Sequence, residues 1–240
     1  MPLIRPARWN LSVLIPARNE ESLLPRCLRS VLTAGFRLPS TVKFQVVVAV
    51  DRSTDRTWEI AQQMLEKCGA VIRTEAGVVG RARALAAQTA LAHHRGPLNR
   101  CWLANTDADC VVPPNWLLDQ LALAANGIEA FAGMIDVDTF DNHDPVVKKR
   151  FYETYRSHPD GSHVHVHGAN LGVRADAYER AGGWGPVSTA EDHDLWKRLA
   201  DIGARRLSLS RIKVVTSGRI VGRAPHGFAG ALAAHGSSAA

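Results

Sequence analysis

Short apolar runs alternate along this chain with stretches in which apolar residues recur every three or four positions. Residues 11–15 form a continuous apolar run closed by Pro16, the pattern of a buried strand. Leu23, Leu24, Cys27, Leu28, Val31 and Leu32 follow at helical spacing, with Pro25 in the first turn and Gly35 past the end. The pattern then repeats. Residues 44–50 read as a strong strand, and Trp58, Ile60, Ala61, Met64 and Leu65 mark a helix stopping near Gly69. Residues 71–72 form a brief third strand, an alanine-rich helix covers about 80–94, and a fourth strand, 101–105, runs into Asp107. The second half is less regular. Helices are expected at 114–125, 145–156 and 192–202, one or two strands at 128–137, a polar loop at 158–167 and a short strand near 170–173. The tail after Phe228 is rich in Ala, Gly and Ser and is expected to be loose.

Strands alternating with helices of this length give an α/β fold, a mostly parallel sheet with helices on both faces. Ligands in such sheets bind beyond the carboxyl ends of the strands. Those ends are residues 16–20, 51–55 and 105–109, each polar or charged directly after an apolar strand, so three loops should converge on one edge.

Composition narrows the class. With 240 residues, 46% hydrophobic and 22% charged, the chain is globular and long enough to build a core without disulfides or structural metal. Its four cysteines, Cys27, Cys68, Cys101 and Cys110, are dispersed with no C-x-x-C pair, which fits thiols in a reducing compartment. No apolar stretch approaches the roughly 18 residues of a membrane span, so a cytoplasmic location is expected, with docking at the inner face of a membrane allowed. The formal charge is +6, and 23 of the 29 basic residues are arginine. A planar guanidinium grips phosphate in a bidentate way, which points to a nucleotide phosphate or an anionic lipid surface; biased base composition of the gene gives the same excess.

Three Asp-x-Asp triplets occur, at 107–109, 136–138 and 192–194, and only the first directly follows a predicted strand. Two carboxylates there can hold a divalent ion that bridges phosphate oxygens. His163, His165 and His167 alternate, so in an extended segment the three imidazoles share a side and could bind zinc or copper.

Taken together, 13–21 (VLIPARNEE), 50–57 (VDRSTDRT), Asp107-Ala108-Asp109, and Glu191-Asp192 ahead of Leu195 and Arg198-Leu199 resemble, in order and spacing, the family 2 glycosyltransferases. The resemblance runs from about 11 to 202. It implies a GT-A fold: one domain over 1–228, with a nucleotide-binding half at about 11–110 and an acceptor-binding half at about 111–228, then a flexible tail at 229–240. It also implies an inverting transfer from a nucleotide sugar, a UDP-sugar ahead of a GDP-sugar, to a hydroxyl acceptor, with Mn2+ or Mg2+ as cofactor and no nucleic-acid partner. By resemblance, Asp51 recognises the nucleoside in a pocket lined by Pro16, Ala17, Arg18 and Glu20, and Arg83 and Asp107 contact the nucleotide. The family commonly has two adjacent aspartates where this chain has Val50-Asp51, and an asparagine where it has Ala84. Asp109, Asp107 and His226 are the implied metal ligands. Asp192 is the implied general base, with Glu191 in support, because an acceptor hydroxyl needs a carboxylate to take its proton. Arg219 and Arg223 are candidates to close over the pyrophosphate, Trp184 for a sugar platform and Asn170 for the acceptor side. Three other readings stay open: a nucleotidyltransferase acting on a sugar phosphate, a metal-dependent hydrolase built on His163, His165 and His167, and a non-catalytic nucleotide-sugar-binding relative.

Overall fold

The structure is a computed structural model and describes residues 8–66, 68–187, 189–223 and 227–237. Its centre is a seven-stranded mixed sheet in the order β3-β2-β1-β4-β6-β5-β7. The first half follows the predicted alternation: β1 (Asn10–Ala17), α1 (Leu24–Phe36), β2 (Lys43–Asp51), α2 (Thr57–Leu65), β3 (Gly69–Thr74), α3 (Val79–His93) and β4 (Cys101–Asn105). β1 lies between β2 and β4 and is parallel to both, so the three loops that follow these strands emerge at one edge.

The second half supplies α4 (Trp116–Ala125), β5 (Ala130–Val137), α5 (Pro145–Thr154), a single 3-10 turn at Gly168–Asn170, β6 (Leu171–Arg174), α6 (Ala175–Arg180), α7 (Glu191–Asp201), β7 (Arg206–Thr216) and α8 (Phe228–Ser237). β6 runs antiparallel to both β4 and β5, whereas β7 is parallel to β5. Neither β7 nor α6 is among the elements expected from the sequence. Along β7 burial runs intermediate for five residues before alternating, so no apolar run announces it.

Two apolar layers cover the sheet. α1, α2 and α4 pack on one face with Leu28, Leu65, Trp116 and Leu117. α3, α6 and α7 cover the other with Ala82, Ala86, Ala87, Tyr178 and Leu195. The buried face of α3 is almost all alanine, which lets the helix lie close on β1 and β2. The tail expected to be loose instead forms α8, which packs on α5 through Leu232, Phe151 and Val147. Its alanines favour helix, and one buried leucine gives that helix a face to bury.

Candidate active site

The first two edge loops are stitched together. The Asn19 side-chain oxygen accepts from the Thr54 N–H at 2.8 Å, the Glu20 N–H donates to Thr57 Oγ1 at 2.7 Å, and the Glu21 N–H donates to Asp55 at 3.0 Å. Asn19 and Arg52 take left-handed φ values of 52° and 48°, and Ala190, immediately before Glu191-Asp192, takes 56°. Among the described residues these are the only non-glycine residues with positive φ, and all three border the expected site. Such strain collects where the surrounding structure fixes an otherwise unfavourable turn.

The third loop is held from below by α1: Arg26 donates to the Asp109 carbonyl at 3.0 Å, and the Cys27 thiol to the Asp107 carbonyl at 3.3 Å. Arg83, only 2% exposed, reaches out of α3 to Asp107 Oδ1 at 2.5 Å and to Glu191 Oε1 at 3.4 Å. It joins the acid after β4 to the acid that opens α7. Gly168 gives it room, since a Cβ there would lie 2.5 Å from the guanidinium. The Gly168 N–H donates to Asp192 Oδ2 at 2.9 Å and orients that carboxylate. Burial raises the Glu191 pKa above its ordinary value, against the pull of Arg83.

A second arginine closes the other side. Arg219, beyond the end of β7, ion-pairs with Asp109 and with Glu20 Oε1, the latter at 2.7 Å, and Arg223 stands 3.9 Å from the same Glu20 oxygen. Glu20 is 4% exposed, burial raises its pKa, and its Oε2 has no partner. The segment carrying Arg219 is anchored by Asp138, which accepts from the Gly218 N–H at 2.8 Å and pairs with Arg26 at 2.7 Å.

Asp107, Asp109 and Cys110 each offer a ligand atom, all within 4.8 Å of one another. Burial holds the Cys110 thiol well above its ordinary pKa, which leaves the two carboxylates as candidate donors, and such an oxygen set fits Mn2+ or Mg2+. Among the described residues this is the only group of three or more such side chains with metal-site spacing, and the three-histidine segment forms none. The imidazoles do share a side, but their rings stack at 6.0 and 6.4 Å between centroids rather than converging. His226 lies outside the described residues.

The remaining expected positions have the following surroundings. Asp51, at the end of β2, accepts from the Gly77 N–H at 3.1 Å, in the loop leading to α3. Pro16 and Ala17 close β1, and Arg18 is exposed beside them. Asn170 is no acceptor contact. It is fully buried, accepts from Trp116 Nε1 at 2.9 Å and donates to the Met134 and Ile212 carbonyls, so its polar atoms are consumed in joining α4, β5 and β7. Trp184 is no open platform either: it is 6% exposed and lies against Arg83, ring centroid to guanidinium 5.3 Å. Arg26, Asp138, Gly77 and Gly168 were not singled out in sequence, because each acts through a partner brought to it by the fold.

The Glycosyl transferase family 2 model matches residues 12–182. The chain belongs to that family. Probable glycosyltransferase YdaM of Bacillus subtilis (strain 168) is 25% identical over 205 residues, covering 80% of this chain and 47% of YdaM. Solved structures share the fold at lower identity. The mannosyltransferase PcManGT of Pyrobaculum calidifontis, in complex with GDP-Man and Mn2+, superposes with TM-score 0.66 at 21% identity over 90% of this chain and 59% of its own. S. aureus TarS 1-349 in complex with UDP-GlcNAc gives 0.64 at 19% identity over 90% and 60%. The chain therefore spans about half to three fifths of the length of these proteins. No helix among the described residues is long and apolar enough to cross a membrane.

Proposed function

We propose that the chain transfers a sugar from a nucleotide sugar, a UDP-sugar, to an acceptor hydroxyl with inversion at the anomeric carbon. The observation that carries this reading is Arg83, which links Asp107 on the nucleotide side to Glu191 beside Asp192. A metal-binding carboxylate and a general base thus belong to one charged network. The solved relatives add support, since TarS is described with UDP and UDP-GlcNAc, and PcManGT and GalNAc-T7 with Mn2+.

In this reading Asp51, with the loop after β1, holds the base and ribose. Asp109 and Asp107 would hold Mn2+ or Mg2+, which when bound offsets the charge on the leaving diphosphate. Arg219 and Arg223 face the same side and add donors for the pyrophosphate. Asp192 takes the proton of the acceptor hydroxyl as its oxygen attacks the anomeric carbon and the bond to the diphosphate breaks. The Gly168 N–H keeps Asp192 Oδ2 aimed, and Arg83 holds Glu191 as the neighbouring charge. The first loop, 17–20 (ARNE), carries no glycine, which disfavours the phosphate cradle of a nucleotidyltransferase.

The test is calorimetry with UDP and GDP, each with and without Mn2+, followed by turnover of the matching nucleotide sugars. Metal-dependent binding of UDP ahead of GDP is expected. In Asp192→Asn, turnover should fall by at least ~100-fold with donor binding kept. Near-normal turnover in that variant, or no binding of either nucleotide by the folded protein, overturns the reading.

A further inference from the structure

β7 is the source of a feature that the nucleotide side does not use. Its register against β5 shifts between Gly133 and Met134, so that Gly133 faces Leu209 and Met134 faces Lys213. The intervening residues bulge out of the ladder. Beside the bulge lies an open cleft of about 510 Å³ lined by Met134, Tyr155, Arg156, Ser157, Ser210 and Lys213. The Ser210 N–H donates to the Gly161 carbonyl at 2.8 Å, which fixes the loop forming the facing wall.

The charge in this cleft differs from that around Asp107 and Asp109. Arg83 and Arg219 are committed to carboxylates, whereas Arg156 and Lys213 are exposed and have no carboxylate partner among the described residues. Nearby acids are engaged elsewhere: Asp160 accepts from Ser162, Asp136 from the Tyr152 hydroxyl and Asp119 pairs with Arg211. Two uncommitted cations and two serine hydroxyls around one opening form a donor set for an oxyanion.

A series of contacts joins the wall of the cleft to the base. Tyr155, on its wall, has its ring 4.1 Å from that of His165 and 5.6 Å from that of His167. The residue after His167 is Gly168, which binds Asp192. A molecule seated against Tyr155 and the imidazole ladder would thus lie on the acceptor side of Asp192.

We propose that this cleft is an acceptor subsite for a phosphate group, so that the acceptor is a phosphorylated polyol or sugar whose free hydroxyl reaches Asp192. The inference rests on the transferase reading for its connection to catalysis. Arg156 and Lys213 grip the phosphate, Ser157 and Ser210 supply neutral donors, and the Tyr155–His165–His167 wall carries the intervening carbon chain.

Titration of the full chain with glycerol 3-phosphate and with glycerol tests it, in the presence of saturating UDP and Mg2+ so that the nucleotide side is filled. Glycerol 3-phosphate should bind and glycerol should not. In the double variant Arg156→Ala, Lys213→Ala, affinity for glycerol 3-phosphate should drop roughly tenfold or more, with UDP affinity unchanged. A variant of equal charge loss elsewhere, Arg29→Ala, Lys148→Ala, should bind it as the wild type does. Equal binding by the cleft variant and the wild type overturns the proposal. So does an equal loss in the control variant, binding of glycerol as tight as that of its phosphate, or no binding of the phosphate at millimolar concentration. Failure of the transferase reading shows separately, as loss of the UDP signal.

Discussion

Arg83 is the single residue on which most of the charged network depends. It projects from a helix whose other buried side chains are small, and it faces two carboxylates. Its Nη1 lacks a partner, so even in place it is under-bonded. Replacement by Met keeps volume and leaves Asp107 and Glu191 facing each other without a cation. Arg83→Met should lose about 3–5 kcal/mol in chemical denaturation, together with nucleotide-dependent activity. His167 contributes to the pH dependence, in the same direction as His163 and His165, whose pKa values burial also lowers. Burial pushes the pKa of His167 down to about 4, with Asp192 pulling the other way, and its Nε2 has no partner. The unfolded chain binds a proton near pH 6.5 and the folded chain does not until about pH 4, so stability falls as pH drops through that window. The slope from this group should be of order 1 kcal/mol per pH unit, and His167→Gln should flatten it when unfolding free energies at pH 7 and pH 5 are compared.

At the scale of elements, the site is set by how closely a few segments approach. The 3-10 turn at Gly168–Asn170 carries a glycine against Arg83 and an asparagine that joins three elements. Gly168→Ala would force its new methyl into the guanidinium, so the Arg83–Glu191 link and the aim of Asp192 should both suffer. Turnover is expected to drop at least ~10-fold while donor affinity changes little, read as kcat against donor KM. The sequence placed β1, β2, β4, α1 to α4 and α7 within a few residues, because each carries a continuous apolar run, a helical spacing or, in α3, an alanine-rich stretch. β7 and α8 were not legible in this way. β7 is an edge strand with an irregular ladder, and its alternation, Leu207 and Leu209 and then Ile212 and Val214, changes phase at the bulge and contains no continuous apolar run. α8 looked loose because small residues give little periodic signal, yet one leucine against α5 suffices to dock it.

Across the whole molecule, the C-terminal end of β7 returns to the beginning of the chain. Arg219 lies 199 positions from Glu20 and 110 from Asp109, and it brings to these carboxylates the positive charge that a divalent cation would also bring. In the proposed reading the guanidinium and a metal ion would therefore compete at Asp109. Mn2+ affinity of the nucleotide-free protein should rise several-fold in Arg219→Ala, measured by calorimetry or by the electron spin resonance of free Mn2+. Affinity for UDP with Mn2+ should fall in the same variant, because a pyrophosphate donor is lost. The two opposite signs separate a competing arginine from one that merely stabilises the fold.

The sequence by itself determined the alternation of strands and helices, the three polar loops at the strand ends, the acids at 107, 109, 191 and 192, and the family. These are local: a run, a spacing or a short motif carries each, since burial on one face imposes a period that neighbouring residues share. Only the tertiary structure decided which charge meets which. Arg83 and Glu191 are 108 positions apart, and both of their local contexts read as ordinary helix starts. Their meeting follows from the crossover order of the sheet, which puts α3 and α7 on the same face. The same is true of Asn170, whose buried amide is satisfied by carbonyls from two strands, and of the cleft beside β7, which lies where that strand slips its register against β5. Electrostatic partnership depends on distance in space, and a single chain's periodicity records only which side of an element faces inward.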